Sequence, residues 1–148
     1  MSNVLIQKMA HNHVKDLALI EKECFSTPWT EKGLSDELEN LNACFYVALS
    51  DGVVAGYIGA HNIVGEVYIT NVAVKSEFRC KGIGGKLVMH LLSVSESQNA
   101  EFVTLEVRES NEKAIKLYEK AGFSVVGKRK DFYQSPREDA LLMTKYLR

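Results

Sequence analysis

Neither sign of charge is in excess: 18 Lys and Arg stand against 19 Asp and Glu, a formal net charge of -1. No strong field therefore points toward nucleic acid or an anionic membrane. Cysteine is scarce. The three present, Cys24, Cys44 and Cys80, are odd in number and fit no metal-ligand spacing, so free thiols in a reducing compartment are expected and no metal site is. No apolar run approaches the ~20 residues needed to cross a bilayer. The opening Met1-Ser2-Asn3-Val4 has no basic-then-apolar signal pattern. A cytoplasmic location is the expectation, with no membrane or direct nucleic-acid partner, as a monomer or weak dimer. Linkers, repeats and low-complexity segments are absent too. What is present is 148 residues, 46% apolar and 25% charged, which is the size and balance of one globular domain spanning 1–148.

The most informative stretch runs from Val67 to Leu92. A β-type run, Val67 to Val74, ends in a polar turn and a glycine-rich elbow. A helix then follows, with Ile83, Leu87, Val88, Leu91 and Leu92 at helical spacing. Strand, glycine turn and helix N-terminus together suit an anion, because bare glycines let backbone N–H groups approach and the helix dipole faces the charge. Arg79 and Lys81 add formal positive charge there. A dinucleotide fingerprint needs a third glycine where Leu87 stands. A P-loop needs glycine at Cys80 and Ser or Thr at Leu87. Both fail.

Around this centre the pattern alternates between strands and helices. Val4 to Met9 reads as a strand and His11 to Phe25 as a helix, with Asn12 as its possible cap and Glu21 in the rhythm of Val14, Leu17, Ala18 and Ile20. Ser26-Thr27-Pro28-Trp29 breaks it. Thr30 then caps a second helix carrying Leu34, Leu38 and Leu41 on one face. Cys44 to Ser50 and Val53 to Ile63 form a hairpin through Asp51-Gly52, and Gly65 opens the next strand. Glu101 to Val107 is a strand. Asn111 to Ala121 is a helix stopped by Gly122. Phe123 to Lys128 and Ala140 to Lys145 close the chain as a strand pair joined by an Arg129 to Asp139 loop. The class is α/β, with a mixed sheet.

Arg79-Cys80-Lys81-Gly82-Ile83-Gly84 resembles the acetyl-CoA pyrophosphate loop, Gln/Arg-x-x-Gly-x-Gly/Ala, of the GNAT superfamily of N-acetyltransferases. Leu105 to Phe123 reads Leu-Glu-Val-Arg-x-Ser-Asn-x-x-Ala-Ile-x-Leu-Tyr-x-x-x-Gly-Phe, similar to the second block of ribosomal-protein-alanine N-acetyltransferases of the RimI type. Phe25 to Lys32 is similar to that family's Phe-Pro-Trp-Ser-Glu-Lys turn. Arg129 to Ala140 is similar to its Arg-x-Tyr-Tyr…Glu-Asp-Ala loop, with Phe132 at the first tyrosine and Tyr133 at the second. The resemblance implies a GNAT fold, a mixed and mostly antiparallel sheet flanked by helices, with acetyl-CoA as co-substrate.

The resemblance also implies residue roles. Glu106 is the proton acceptor and Tyr118 the proton donor. Arg79, Cys80, Lys81, Gly82, Ile83, Gly84 and Gly85 hold the diphosphate. Val72, Ala73 and Val74 hold pantetheine and the acetyl carbonyl through their backbone, and Asn111 contacts the cofactor. Trp29 and Tyr133 meet the acceptor, a protein N-terminus and most specifically the N-terminal alanine of a small-subunit ribosomal protein. Read without the resemblance, Glu106 is a strand residue sharing the solvent face with Thr104 and Arg108, and Tyr118 is a core residue of its helix stripe. Two alternatives stand beside this reading: a small amine or lysine side chain as acceptor, and a CoA-binding module without catalysis. Cys80 as an acyl carrier has no histidine near it in sequence and is expected to face outward. His11, His13, His61 and His90 read as surface or capping residues.

Overall fold

The computed structural model describes residues 3–148; Met1 and Ser2, the start of the stretch read for a targeting signal, lie outside the described residues. Among the described residues seven strands form one sheet: β1 (Val4–Lys8), β2 (Ala43–Ser50), β3 (Val53–Ile63), β4 (Glu66–Val74), β5 (Phe102–Arg108), β6 (Ser124–Gln134) and β7 (Arg137–Tyr146). Their spatial order is β1-β2-β3-β4-β5-β7-β6. Among the described residues only β4 and β5 run parallel. The α-helices that join them in the described residues are α1 (Val14–Cys24), α2 (Glu31–Glu37), α3 (Ile83–Ser97) and α4 (Glu112–Lys120). The parallel pair needs a crossover, and α3 supplies it.

Alternation sorts the residues into layers. In β5, Val103, Leu105 and Val107 are buried while Thr104, Glu106 and Arg108 take the other face. One face packs Leu87, Val88 and Leu91 of α3 against Ile58, Val67, Leu105 and Met143. The opposite face packs Leu17 and Ile20 of α1 and Leu34 of α2 against Phe45, Val47 and Tyr57. Among the described residues no helix is long and apolar enough to cross a membrane.

Three expectations need correction. Asn12 caps nothing: it sits in a 3-10 turn, His11–His13, where the Nδ1 of buried His13 accepts the Ala10 N–H at 2.9 Å, and α1 starts at Val14. Thr30 does cap α2, its hydroxyl accepting from the Gly33 N–H at 3.0 Å, but the helix ends at Glu37 and Leu41 is fully exposed. The Arg129 to Asp139 segment is almost all strand. β6 and β7 extend through it and turn only at Ser135-Pro136.

Candidate active site

β4 and β5 pair only from Glu66 to Tyr68 and Phe102 to Thr104. Beyond that each strand follows its other neighbour, β4 with β3 as far as Val74 and β5 with β7 as far as Arg108. Thr70 is the cause on the β4 side. Gly59 pairs with Asn71 and Ala60 with Ile69, so Thr70 is an extra residue, and such a bulge bends its strand. The gap opens into a cavity of about 520 Å3 lined by the diverging strands, by α4, and by two turns, Phe25 to Trp29 and Ser135-Pro136.

Glu106 and Tyr118 both line this cavity. Alternation puts Glu106 on the face of Thr104 and Arg108, yet that face is covered here, and the Glu106 side chain is 5% exposed. The Tyr68 hydroxyl donates to its Oε1, and Arg129 Nε lies 2.7 Å from Oε2. A carboxylate has about four lone-pair sites, so these two donors orient it and leave acceptor capacity free. Tyr118 is buried edge-on to Phe123 at 5.7 Å between ring centroids. Its hydroxyl has no hydrogen-bond partner among the described residues. Burial first, then the neighbouring Tyr133, push its pKa up, so the phenol stays protonated across the neutral range.

The elbow is local and made of backbone. A 3-10 turn, Ser76–Phe78, leads to Cys80 at φ 63 and Gly82 at φ 78, and α3 starts at Ile83 with no side-chain cap. Its first N–H groups are therefore left for an outside acceptor. The three glycines stand there for different reasons. Gly82 needs its left-handed φ. Gly85 has open space where a Cβ would go, whereas a Cβ on Gly84 would lie 3.1 Å from Leu117 of α4, so Gly84 brings two helices together. Arg79 does more than add charge: its Nε donates to the Val74 carbonyl at 3.1 Å and its Nη2 to Cys24 Sγ at 3.1 Å. Lys81 lies 5.9 Å over the Phe78 ring and Cys80 is exposed. Arg79 to Gly85 are not part of the cavity lining; β4 connects the two. Val72 lines the cavity, Ala73 is buried toward α1, and Asn111 lines it while its Oδ1 caps α4 from the Ala114 N–H at 3.2 Å.

The other wall is made of side chains. Trp29 lines the cavity, tilted on Phe45. Tyr133 lies under the Arg108 guanidinium, 4.3 Å from ring centroid to the guanidinium carbon. Burial and then the charge of Glu106 raise the Tyr133 pKa, against the pull of Arg108. Arg108 also donates to the carbonyls of Pro136 at 2.8 Å and Ser135 at 3.2 Å, and pairs with Glu138 at 3.1 Å. Ser26 Oγ donates to the Ser135 carbonyl at 2.5 Å, joining the two turns over the cavity. Four positions here went unassigned in the sequence: Tyr68, Arg129, Arg108 and Glu21. Only Glu21 left a signal, a carboxylate in phase with the buried stripe of α1.

A profile of the acetyltransferase (GNAT) family matches residues 14–123. The chain belongs to this family. It is an acyltransferase with the GNAT fold. It is 35% identical over 139 residues to a Bacillus subtilis (strain 168) protein named as a candidate ribosomal protein bS18-alanine N-acetyltransferase, covering 93% of this chain and 92% of that one. The crystal structure of the ribosomal-protein-S18-alanine N-acetyltransferase from Escherichia coli superposes with TM-score 0.91 at 26% identity, covering 98% of this chain and 94% of that one. Arabidopsis thaliana Naa50, in complex with the bisubstrate analogue CoA-Ac-MVNAL, superposes with TM-score 0.83 at 25% identity over 96% of this chain and 97% of that one.

Proposed function

We propose that this GNAT chain, working as one domain, moves the acetyl group of acetyl-CoA to the α-amine of a protein N-terminus, most readily the N-terminal alanine of a small-subunit ribosomal protein, by direct transfer with both substrates bound. The observation that carries the reading is one cavity lined by a carboxylate, Glu106, and an un-ionised phenol, Tyr118, at the divergence of β4 and β5. The names and coverage of the relatives support the acceptor.

The residues present fit acetyl-CoA. The uncapped α3 N-terminus and the open space over Gly82 and Gly85 suit a diphosphate, with Arg79, Cys80, Lys81, Ile83 and Gly84 completing the elbow. Past Tyr68 the β5-facing edge of β4 has no strand partner among the described residues, so the backbone groups of the Val72, Ala73 and Val74 stretch that face this edge serve pantetheine and the acetyl carbonyl oxygen, the Val74 carbonyl already accepting from Arg79. Asn111 contributes its free amide N–H groups beside them.

An α-amine has a pKa near ~8 and arrives mostly protonated at neutral pH. Glu106 draws off that proton, directly or through a water, with Tyr68 and Arg129 holding its orientation. Tyr118, held un-ionised by its buried setting, hands its proton to the departing thiolate. Trp29 and Tyr133 bind the acceptor's first residues. Co-binding supplies the proximity, so no acyl-enzyme is needed and Cys80 takes no part.

The test is mass spectrometry after incubation with labelled acetyl-CoA, using an Ala-initiated ribosomal peptide panel, a ribosomal-protein pool, free polyamines and lysine-bearing peptides blocked at the N-terminus. Label on the α-amine of Ala-initiated peptides is expected. Label confined to polyamines or lysine would replace the acceptor assignment. Acetyl-CoA binding without transfer to any amine would leave a binding module.

A further inference from the structure

Glu21 is the least expected charge in the molecule. It is fully buried in α1, where an unpaired carboxylate is costly. Three donors from three different segments meet it: the Trp29 backbone N–H at 2.8 Å to Oε1, and the Tyr57 hydroxyl at 2.7 Å and Asn71 Nδ2 at 3.1 Å to Oε2. Tyr57 is core. Trp29 and Asn71 line the cavity, and so does Glu21 itself. Asn71 directly follows the bulged Thr70 that separates β4 from β5. Trp29 belongs to the turn that forms the acceptor-side rim. One carboxylate therefore fixes the bulge and the rim relative to each other.

We infer that Glu21 is a positioning residue for the acceptor: it sets the distance between the Trp29 turn and the bulge of β4, and so the width of the entry for the acceptor's first residue. The inference rests on the preceding assignment of this rim to the acceptor. An acceptor suits this point because the Trp29 N–H, the Tyr57 hydroxyl and the Asn71 amide all donate to it. A glutamine fills the same volume but has one acceptor oxygen and an NH2 group. If its oxygen serves Tyr57 and Asn71, its NH2 faces the Trp29 N–H and that bond is lost.

Glu21→Gln and Tyr57→Phe are compared with the wild-type chain. Trp29 is the only tryptophan, so its emission and its quenching by acrylamide read the state of the turn without reference to activity. In Glu21→Gln, quenching is expected to rise and KM for an Ala-initiated peptide to increase roughly 10-fold, the equivalent of one turn anchor, with acetyl-CoA affinity within about twofold. Tyr57→Phe is expected to lower the thermal midpoint while leaving peptide KM within about threefold, separating a core loss from a positioning loss. If Glu21→Gln does not fold, Glu21→Asp keeps the charge and shortens its reach, and the same quenching change is expected. Unchanged Trp29 quenching, or acetyl-CoA affinity falling as far as peptide affinity, overturns the inference. A wild-type chain that acetylates no peptide defeats the acceptor assignment instead, and the fluorescence result still decides whether Glu21 holds the turn.

Discussion

The two sides of the site, the stretch assigned to the cofactor and the part of the cavity lining assigned to the acceptor, are built by opposite means. The wall assigned to the cofactor comes from one continuous piece, Val72 to Gly85, and works through its backbone: a strand edge freed by divergence, a left-handed glycine and an uncapped helix start. The wall assigned to the acceptor comes from segments far apart in the chain. Ser26 meets Ser135 across 109 positions, and Glu21 meets Asn71 across 50. It works through side chains. A backbone device tolerates most side-chain changes and fails when the backbone moves. A side-chain device fails one contact at a time.

Glu106→Gln bears on both walls and has the largest expected effect. It removes the proton acceptor while keeping oxygen for the Tyr68 donor, so turnover should fall about 100-fold or more. Acetyl-CoA affinity, measured by calorimetry, should stay within about twofold. Unchanged turnover would take Glu106 out of the reaction and leave its contacts with Tyr68 and Arg129 as structural.

Gly56→Ala attacks the backbone wall without touching the elbow. Gly56 pairs with Val74, and a Cβ there would stand 2.6 Å from the Ala73 carbonyl oxygen and 3.2 Å from Val74 Cα. Neither neighbour is a flexible side chain, so β4 must shift at Ala73 and Val74. A stability loss of about 1–3 kcal/mol by denaturant titration is expected. Acetyl-CoA affinity should weaken about 10-fold while peptide KM changes less. Equal losses for both substrates would mean that the walls are mechanically one unit.

Arg108→Lys attacks the side-chain wall. The charge survives, but the planar fork that donates to Pro136 and Ser135 and stacks on Tyr133 is lost. Peptide KM should rise about 5- to 10-fold with acetyl-CoA affinity unchanged, the reverse of Gly56→Ala.

The same division governs how much was legible in the sequence. The elbow, the Asp51-Gly52 hairpin and α4 between Asn111 and Gly122 were readable because each is specified by residues next to one another. β6 and β7 were read short because the turn end of their hairpin, with β6 at the sheet edge, carries charged residues on both faces and buries little, and its Arg129 to Asp139 stretch shows no alternation to find. α2 stopping at Glu37, which leaves Leu41 outside, is set by a turn that apolar spacing does not register. The bulge at Thr70 and the three donors on Glu21 depend on which strands become neighbours. No local pattern contains that.

The smallest effect sharpens the comparison further. Ser26 and Glu21 both anchor the Phe25 to Trp29 turn, one through an exposed neutral hydrogen bond at 2.5 Å, the other through a buried carboxylate. An exposed hydroxyl exchanges its protein partner for water, so its net contribution is about 0.5–1.5 kcal/mol at most, and water can bridge the gap left behind. With the buried anchor intact, Ser26→Ala should change peptide KM less than about threefold and leave Trp29 quenching as in the wild-type chain. If Ser26→Ala instead matched Glu21→Gln in both readouts, the turn would be held from outside the cavity, across to the Ser135-Pro136 turn, and the side-chain wall would act as one clasp rather than as separable contacts.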